Sequence, residues 1–306
     1  MSTTTTHAAP SAAATISTGR LLYWSVQREL WEHRSLYVAP LAVAALILVG
    51  FTIGLVDLPA KLRTAAAAGG MEQRALVEQP YTFAALLLMG TTFVIGVFYC
   101  LDALYGERRD RSVLFWKSLP VSDLTTVLAK ACVPLVILPL LTFAVTFVTQ
   151  ICMLLVASGR LLGTGLSVWS QLSFGEMTWT LFHHLVLGHG LWYAPIWGWL
   201  LFCSAWARRT PVLWAALPLL AVGLIEKIAF GTTYFGNWLG SRLMGGPADP
   251  MPDQGMDHTG VSMTMVGITA MSPTQVLVSS GLWLGLALAA VFLVLAVRLR
   301  HSRGPA

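Results

Sequence analysis

Three histidines, His183, His184 and His189, lie at i, i+1 and i+6 where an apolar stretch begins. Zinc hydrolases place two histidines at i, i+4 with a glutamate between, so that both imidazoles face one metal; that arrangement is missing. No Ser–Lys dyad or His–carboxylate pairing stands out elsewhere, and no catalytic residue is assigned. The histidines read as polar groups hydrogen-bonded near a headgroup layer. A second candidate chemistry lies between residues 231 and 273. Met244, Met251, Met256, Met263, Met265 and Met271 fall within 28 residues, with Asp257 and His258 beside Met256. Thioethers with imidazole are soft ligands that select Cu(I), which makes Met251, Met256, His258, Met263 and Met265 the copper candidates. The same residues suit a flexible apolar lid, because methionine adapts its shape. The lid is the preferred reading, and no metal is assigned.

Two further chemistries are excluded or poorly supported. Cys100, Cys132, Cys152 and Cys203 each sit in an apolar run and none is spaced as CxxC, so they read as small buried hydrophobes. There is no GxxxxGK[ST] segment, and none of the four lysines follows a glycine. Without that phosphate-cradling loop this chain is not expected to hydrolyse ATP.

The elements that must carry these residues are set by composition. Of 306 residues, 56% are hydrophobic and only 11% charged, with a mean hydropathy of +0.70. That charge content is less than half of the roughly 25% usual for soluble domains. The fold class expected is all-α, a polytopic membrane protein, and a soluble enzyme is excluded. Six segments supply the roughly 20 apolar residues a spanning helix needs: 36–56, 82–104, 126–156, 182–206, 211–230 and 275–297. The fifth is the weakest, because it contains Pro218 and ends in Glu226 and Lys227.

Basic residues orient these spans. Arg20, Arg28 and Arg34, the cluster Arg108, Arg109, Arg111, Lys117 and Lys130, the pair Arg208 and Arg209, and the tail Arg298, Arg300 and Arg303 fall on one side. The other side holds Lys61, Arg63, Arg74, Arg160 and Arg242, with Lys227 nearby. The positive-inside rule then puts both termini in the cytoplasm, which six spans allow. The net charge of +5 is accordingly read as membrane orientation, with membrane lipids as neighbours and no nucleic-acid partner. Residues 1–19 form a low-complexity tail, expected to be disordered and resembling neither a signal nor a transit peptide. Residues 298–306 form a second cytoplasmic tail.

Residues 20–35 precede the first span. At 100° per residue, Leu22, Val26, Leu30, Tyr23, Trp31 and Trp24 share one arc, and Arg28, Glu32, Ser25 and Glu29 the other. Two readings fit: a helix lying in the membrane interface, or a cytosolic extension of the first span. The loop at about 105–125 is charged at its front, apolar from Val113 to Trp116 and broken at Pro120, with Ser122 or Asp123 placed to cap the next helix. An exposed apolar knob between basic flanks wants a groove on a protein partner.

On this loop the chain resembles the permease subunits of type-2 ATP-binding-cassette (ABC-2) exporters. The residues that carry the resemblance are Glu107, Arg108 and Arg109, then Leu114, Phe115 and Trp116, then Leu119-Pro120-Val121-Ser122, then Leu128 and Lys130. The resemblance implies a six-span domain over 36–297, an amino-terminal elbow helix and a cytoplasmic coupling helix. Glu107, Arg108, Arg109, Leu114, Phe115, Trp116 and Lys117 would then face the ATPase. It also implies two separate ATPase subunits carrying ATP and Mg, a second permease subunit (identical or paralogous), and an amphipathic substrate exported across the bacterial inner membrane. One permease branch of the family serves copper-enzyme assembly, which is the context for the methionines. Glu226 and Lys227 lie about 24 Å along the fifth helix at 1.5 Å per residue, where the family often breaks its span. They are read either as an outer gate or as interfacial anchors. Asp102 is read as capping the basic loop or lining a path. The competing classes are a secondary transporter, which would want midplane charges and an internal repeat, and an accessory or sensory membrane protein.

Overall fold

The computed structural model describes residues 17–55, 64, 70–110, 122–162, 169, 172–244 and 277–302. Its elements are helices: α1 (Thr18–Glu32), α2 (Ser35–Gly54), α3 (Gly70–Ala103), α4 (Tyr105–Arg109), α5 (Asp123–Cys132), α6 (Leu138–Leu161), α7 (Phe174–His183), α8 (Ala194–Trp206), α9 (Pro211–Phe230), α10 (Tyr234–Met244) and α11 (Ser280–Ser302). Two π-helical stretches, Val133–Ile137 and His184–Trp192, lead from α5 into α6 and from α7 towards α8.

Five stretches are long and apolar enough to cross a membrane: Ser35–Gly54, Val77–Arg109, Asp123–Leu161, Pro211–Phe230 and Ser280–Ser302. They turn large aliphatic side chains outward, among them Leu46, Ile53, Leu220, Ile228 and Leu284. Contiguous apolar surface on this scale marks a membrane protein. The sixth apolar segment, 182–206, differs from its expected form. It is split into the end of α7, the π-helical stretch, a turn at Tyr193 and the 13 residues of α8. Gly188 and Gly190 weaken the helix there, and Pro195 has no N–H to bond back to Leu191.

That broken segment nonetheless forms the centre of the bundle. Trp197 and Leu201 on α8 are buried together with Tyr99 and Cys100 of α3, Val133, Trp192 and Leu282 of α11. Gly198 explains how α8 and α11 approach so closely, since a Cβ there would lie 3.1 Å from the Ala289 carbonyl oxygen and 3.2 Å from its Cα. Between lipid-solvated helices this close packing, more than water exclusion, provides the attraction. The two π-helical stretches meet at Gly190, where a Cβ would fall 3.0 Å from the Leu135 carbonyl oxygen. Pro139 cannot donate to that carbonyl in an α-helical register, and Pro134 similarly disturbs the turn before it.

Helix α9 is held at its ends. Pro218 has no N–H for the Trp214 carbonyl, and the Cys203 thiol donates to that oxygen at 3.6 Å. Beside it the Trp199 indole donates to the Ala215 carbonyl at 3.1 Å. Between these bonds and its far end, α9 presents apolar side chains outward on all sides.

Helix α1 is amphipathic as its sequence predicts. Tyr23, Trp24 and Trp31 are exposed, whereas Glu29, on the charged arc, is only 1% exposed. The helix thus turns Tyr23, Trp24 and Trp31 outward and Glu29 onto protein, while Glu32 on the same polar arc stays exposed.

Candidate functional site

The charged arc of α1 lands on a buried ionic cluster. We call this end of the bundle the base; it also holds α4, the start of α5 and the end of α11. Lys130, in the last turn of α5, places Nζ 2.9 and 3.0 Å from the two carboxylate oxygens of Glu29 and 3.1 Å from Glu107 Oε1. Arg28 reaches Glu29 at 2.7 Å and Glu107 at 3.3 Å. Arg300, from the last turns of α11, closes the cluster with Nη1 2.5 Å from Glu107 Oε2 and Nε 3.0 Å from Asp123 Oδ1. The Tyr99 hydroxyl donates to Glu29 at 3.0 Å, and His301 lies 3.3 Å from Asp123. Three carboxylates thus meet one lysine and two arginines from four segments of the chain.

Burial, the largest influence on Glu29, pushes its carboxyl upward, but the charges and hydrogen bonds of Lys130 and Arg28 outweigh it. The net result holds Glu29 below the ordinary value of 4.5. Glu29, Glu32 and His33 also bring their ligand atoms within 4.8 Å of one another, the spacing of a metal group. Both Glu29 oxygens already accept from Lys130, which argues against a cation there.

The same end of the bundle fixes the described residues on either side of 111–121, the middle of the predicted coupling loop. Before the loop, Arg108 is buried and donates to the carbonyls of Ser204 at 2.6 Å and Ala207 at 2.8 Å. The Ser204 hydroxyl accepts from Leu104 N–H and Tyr105 N–H, both at 3.0 Å, and donates to the Leu101 carbonyl at 2.8 Å. One side chain thereby serves the backbone groups freed where α3 turns into α4. Asp102 sits against Gly106 at this turn. After the loop, Ser122 rather than Asp123 is the cap, its hydroxyl accepting from Thr125 N–H at 3.1 Å. Asp123 is spent on Arg300. Arg109 is exposed, next to Asp110 and over the Tyr105 ring at 5.9 Å. Leu114, Phe115, Trp116 and Lys117 lie outside the described residues. Of the predicted coupling residues, then, Glu107 and Arg108 face inward and Arg109 outward.

At the opposite end Glu226 caps α10. Its carboxylate accepts from Tyr234 N–H at 2.6 Å, Phe235 N–H at 2.8 Å and the Thr232 hydroxyl at 3.0 Å, while Lys227 is exposed. Glu226 therefore anchors α10 to the end of α9. Arg242, on α10, is 2% exposed and stacks on Trp192 at 4.2 Å. It donates to the carbonyls of Trp192, at 3.2 Å, and Gly281. Among the described residues no carboxylate pairs with it, and burial pulls its guanidinium below the ordinary arginine range. Met251, Met256, His258, Met263 and Met265 lie outside the described residues.

A cavity of about 330 Å³ opens between α3, α6 and α7 at this end. Its polar lining is Glu78, Thr82, Gln150, Glu176, Thr180 and His184, and its apolar lining includes Met89 and Leu181. His184 is buried with Nδ1 unpartnered, in contrast to the headgroup contact expected of it. His183 Nδ1 instead lies 3.0 Å from the Trp179 carbonyl oxygen of its own helix. All four cysteines are free, and Cys100 and Cys203 are buried, as expected of small hydrophobes.

Sequence reasoning placed Glu29 on a polar arc and Lys130 in the basic loop, but gave no reason to pair them. Arg300 and Ser204 carried no signal beyond residue type. No protein-family model matches the chain, and neither does any curated protein or solved structure.

Proposed function

We propose that the chain is the membrane-spanning permease subunit of an ATP-driven ABC-2-type exporter. It works with separate ATPase subunits and a second permease subunit, in the bacterial inner membrane with both termini cytoplasmic. Its substrate is amphipathic. The observation that carries this reading is the ionic base that holds the described residues on either side of 111–121. Glu107 and Arg108 before residues 111–121, and Asp123 after them, are tied through Lys130, Arg28, Arg300 and Ser204 to α1, α5, α8 and α11. A push on the loop by a partner would be shared at once among those elements, because ionic groups buried this closely move as a unit. Arg109 and the apolar Leu114, Phe115 and Trp116 are the partner-facing residues in this reading. Glu107 and Arg108 transmit the force without touching the partner. The outward aromatic face of α1 supports the reading as an interfacial elbow.

The test is retention of the ATPase. Truncating buried interface aromatics costs about 2 kcal/mol or more, which corresponds to roughly 30-fold in affinity. Phe115→Ala with Trp116→Ala is therefore expected to abolish co-purification of the ATPase at unchanged membrane insertion. Undiminished binding with undiminished substrate-stimulated ATP hydrolysis would remove the assignment. The orientation is checked separately by a single cysteine at Ser112, expected to be shielded from impermeant reagents in intact cells.

A further inference from the structure

Helices α9 and α10 form one piece that is fastened to the bundle at both ends. Near the start of α9, Ala215 is buried and its carbonyl accepts from the Trp199 indole. At the corner, Glu226 accepts from the N–H groups of Tyr234 and Phe235, and a Cβ on Gly223 would lie 3.9 Å from the Phe235 ring. At the end of α10, the Tyr193 hydroxyl donates to the Leu243 carbonyl at 3.0 Å, and Arg242 sits in a notch. Its Nη1 donates to the Trp192 carbonyl at 3.2 Å, its Nη2 to the Gly281 carbonyl, and its Cζ lies 4.2 Å from the centre of the Trp192 ring. The floor of the notch is Gly285, where a Cβ would fall 2.8 Å from Nη2 and 2.9 Å from Nη1. The notch holds together only while the end of the π-helical stretch and the start of α11 stay within reach of one guanidinium, since each supplies one carbonyl. At the other end of the piece, Thr210 has φ 44°, alone among the described non-glycine residues in being positive. A β-branched side chain is disfavoured there, and such strain collects at segments that switch.

We propose that Arg242 is a releasable latch. With its guanidinium in the notch, α9 and α10 are closed on the bundle; with the guanidinium out, they swing together about the Arg208–Thr210 segment. Should the Trp192 and Gly281 carbonyls move apart, the guanidinium would lose an acceptor while still shielded from water, and leaving the notch becomes favourable. The contact is therefore made or lost as a unit, which gives two discrete arrangements. A planar fork that bridges two carbonyls and stacks on an indole senses their spacing, as the point charge of a lysine does not. The inference is separate from the exporter reading, because it needs no ATPase. The pull-down with Phe115 and Trp116 variants, in turn, touches no residue of the latch.

The experiment measures the distance between spin labels on Ile228→Cys, near the far end of α9, and Trp179→Cys, on α7, by double electron–electron resonance. Both sites are exposed. The full-length chain, in phosphatidylcholine nanodiscs, carries Cys203→Ser, Cys100→Ala, Cys132→Ala and Cys152→Ala as the parent background. The parent should show one main distance and a minor second one. Arg242→Ala should raise the second population about threefold or more. An excess of methylguanidinium should reverse that rise by refilling the notch, and methylammonium should not. Gly285→Ala should raise the same population, because its Cβ takes the space of the guanidinium, and methylguanidinium should not reverse it. That variant leaves Arg242 in place, so it decides the matter if Arg242→Ala does not fold. A parent without the second distance, or an unchanged distribution in either variant, overturns the proposal. So does a second population in Arg242→Ala that methylguanidinium reduces no more than methylammonium does, or one in Gly285→Ala that methylguanidinium reverses.

Discussion

At the base of the bundle, Glu29, Glu107 and Asp123 are closed off by Lys130, Arg28 and Arg300 at 2.5 to 3.3 Å. At the opposite end, Glu176, Gln150 and His184 line a cavity, and among the described residues two buried polar atoms there, Gln150 Oε1 and His184 Nδ1, have no hydrogen-bond partner. At the base, buried carboxylates and cations from four segments pair with one another; in the cavity lining, among the described residues, no such ion-pair network forms. Buried polar groups that satisfy one another rigidify a structure, whereas those left incomplete keep binding capacity for something else. The contrast is between a closed ionic network, proposed above to act as a joint, and a cavity whose polar lining is incompletely paired.

The strongest way to break the comparison is to unbalance the base. Lys130→Met removes the cation that meets both oxygens of the buried Glu29 and leaves Arg28 as its remaining cation; losing one partner of a buried pair costs up to about 3–5 kcal/mol. The expected result is a large fall in melting temperature and in the yield of monodisperse protein in detergent. Adding Glu29→Gln to that variant should recover part of the loss, because the under-paired carboxylate is removed while Arg28 keeps Glu107. If Lys130→Met melts like the parent, the base is not a joint.

Ser204→Ala is next. It strands Leu104 N–H, Tyr105 N–H and the Leu101 carbonyl in a buried position, at about 1–3 kcal/mol for a buried group left unpaired. A lower melting temperature and faster amide exchange at residues 104–106 are expected, with the cavity end unaffected.

Protonation offers a milder route. Glu29 is held below its ordinary value of 4.5, so its unfolded state binds the proton more readily than the folded one. Its stabilising contribution is complete above 4.5 and is lost as pH falls through the lower folded value. The melting temperature should drop over that acid window, and Glu29→Gln should flatten the part of the drop that belongs to this group.

The smallest effect sharpens the other side of the contrast. Glu176→Gln, at a rim carboxylate with no ion pair among the described residues, should leave stability within about 0.5 kcal/mol of the parent. A large loss of stability there would make Glu176 part of the scaffold and erase the distinction between the two ends.

Much of the architecture was legible in the sequence, and particular residues show where legibility stops. The five continuous spans follow from runs of apolar residues, because lipid imposes the same requirement on every turn of a spanning helix. The Ser122 cap and the two-faced α1 are local patterns and were readable for that reason. The sixth apolar run was readable as membrane-buried but not as broken. Its course depends on Gly190 meeting the Leu135 carbonyl and on Gly198 meeting Ala289, partners more than 50 residues away.

What the sequence by itself determined was the solvent: with 11% charged residues the chain needs lipid, and its basic residues give it an expected direction. Only the tertiary structure decided which charges are structural. Glu29 and Lys130 are 101 residues apart, and Arg300 and Glu107 are 193 apart. No spacing rule links such positions, because ion pairing acts over a few ångströms while sequence patterns report only neighbours along one helix. The same holds for the cavity, whose polar lining comes from three helices that the sequence lists as unrelated stretches. A charge in a sequence is a possibility of pairing; packing alone decides whether it is met.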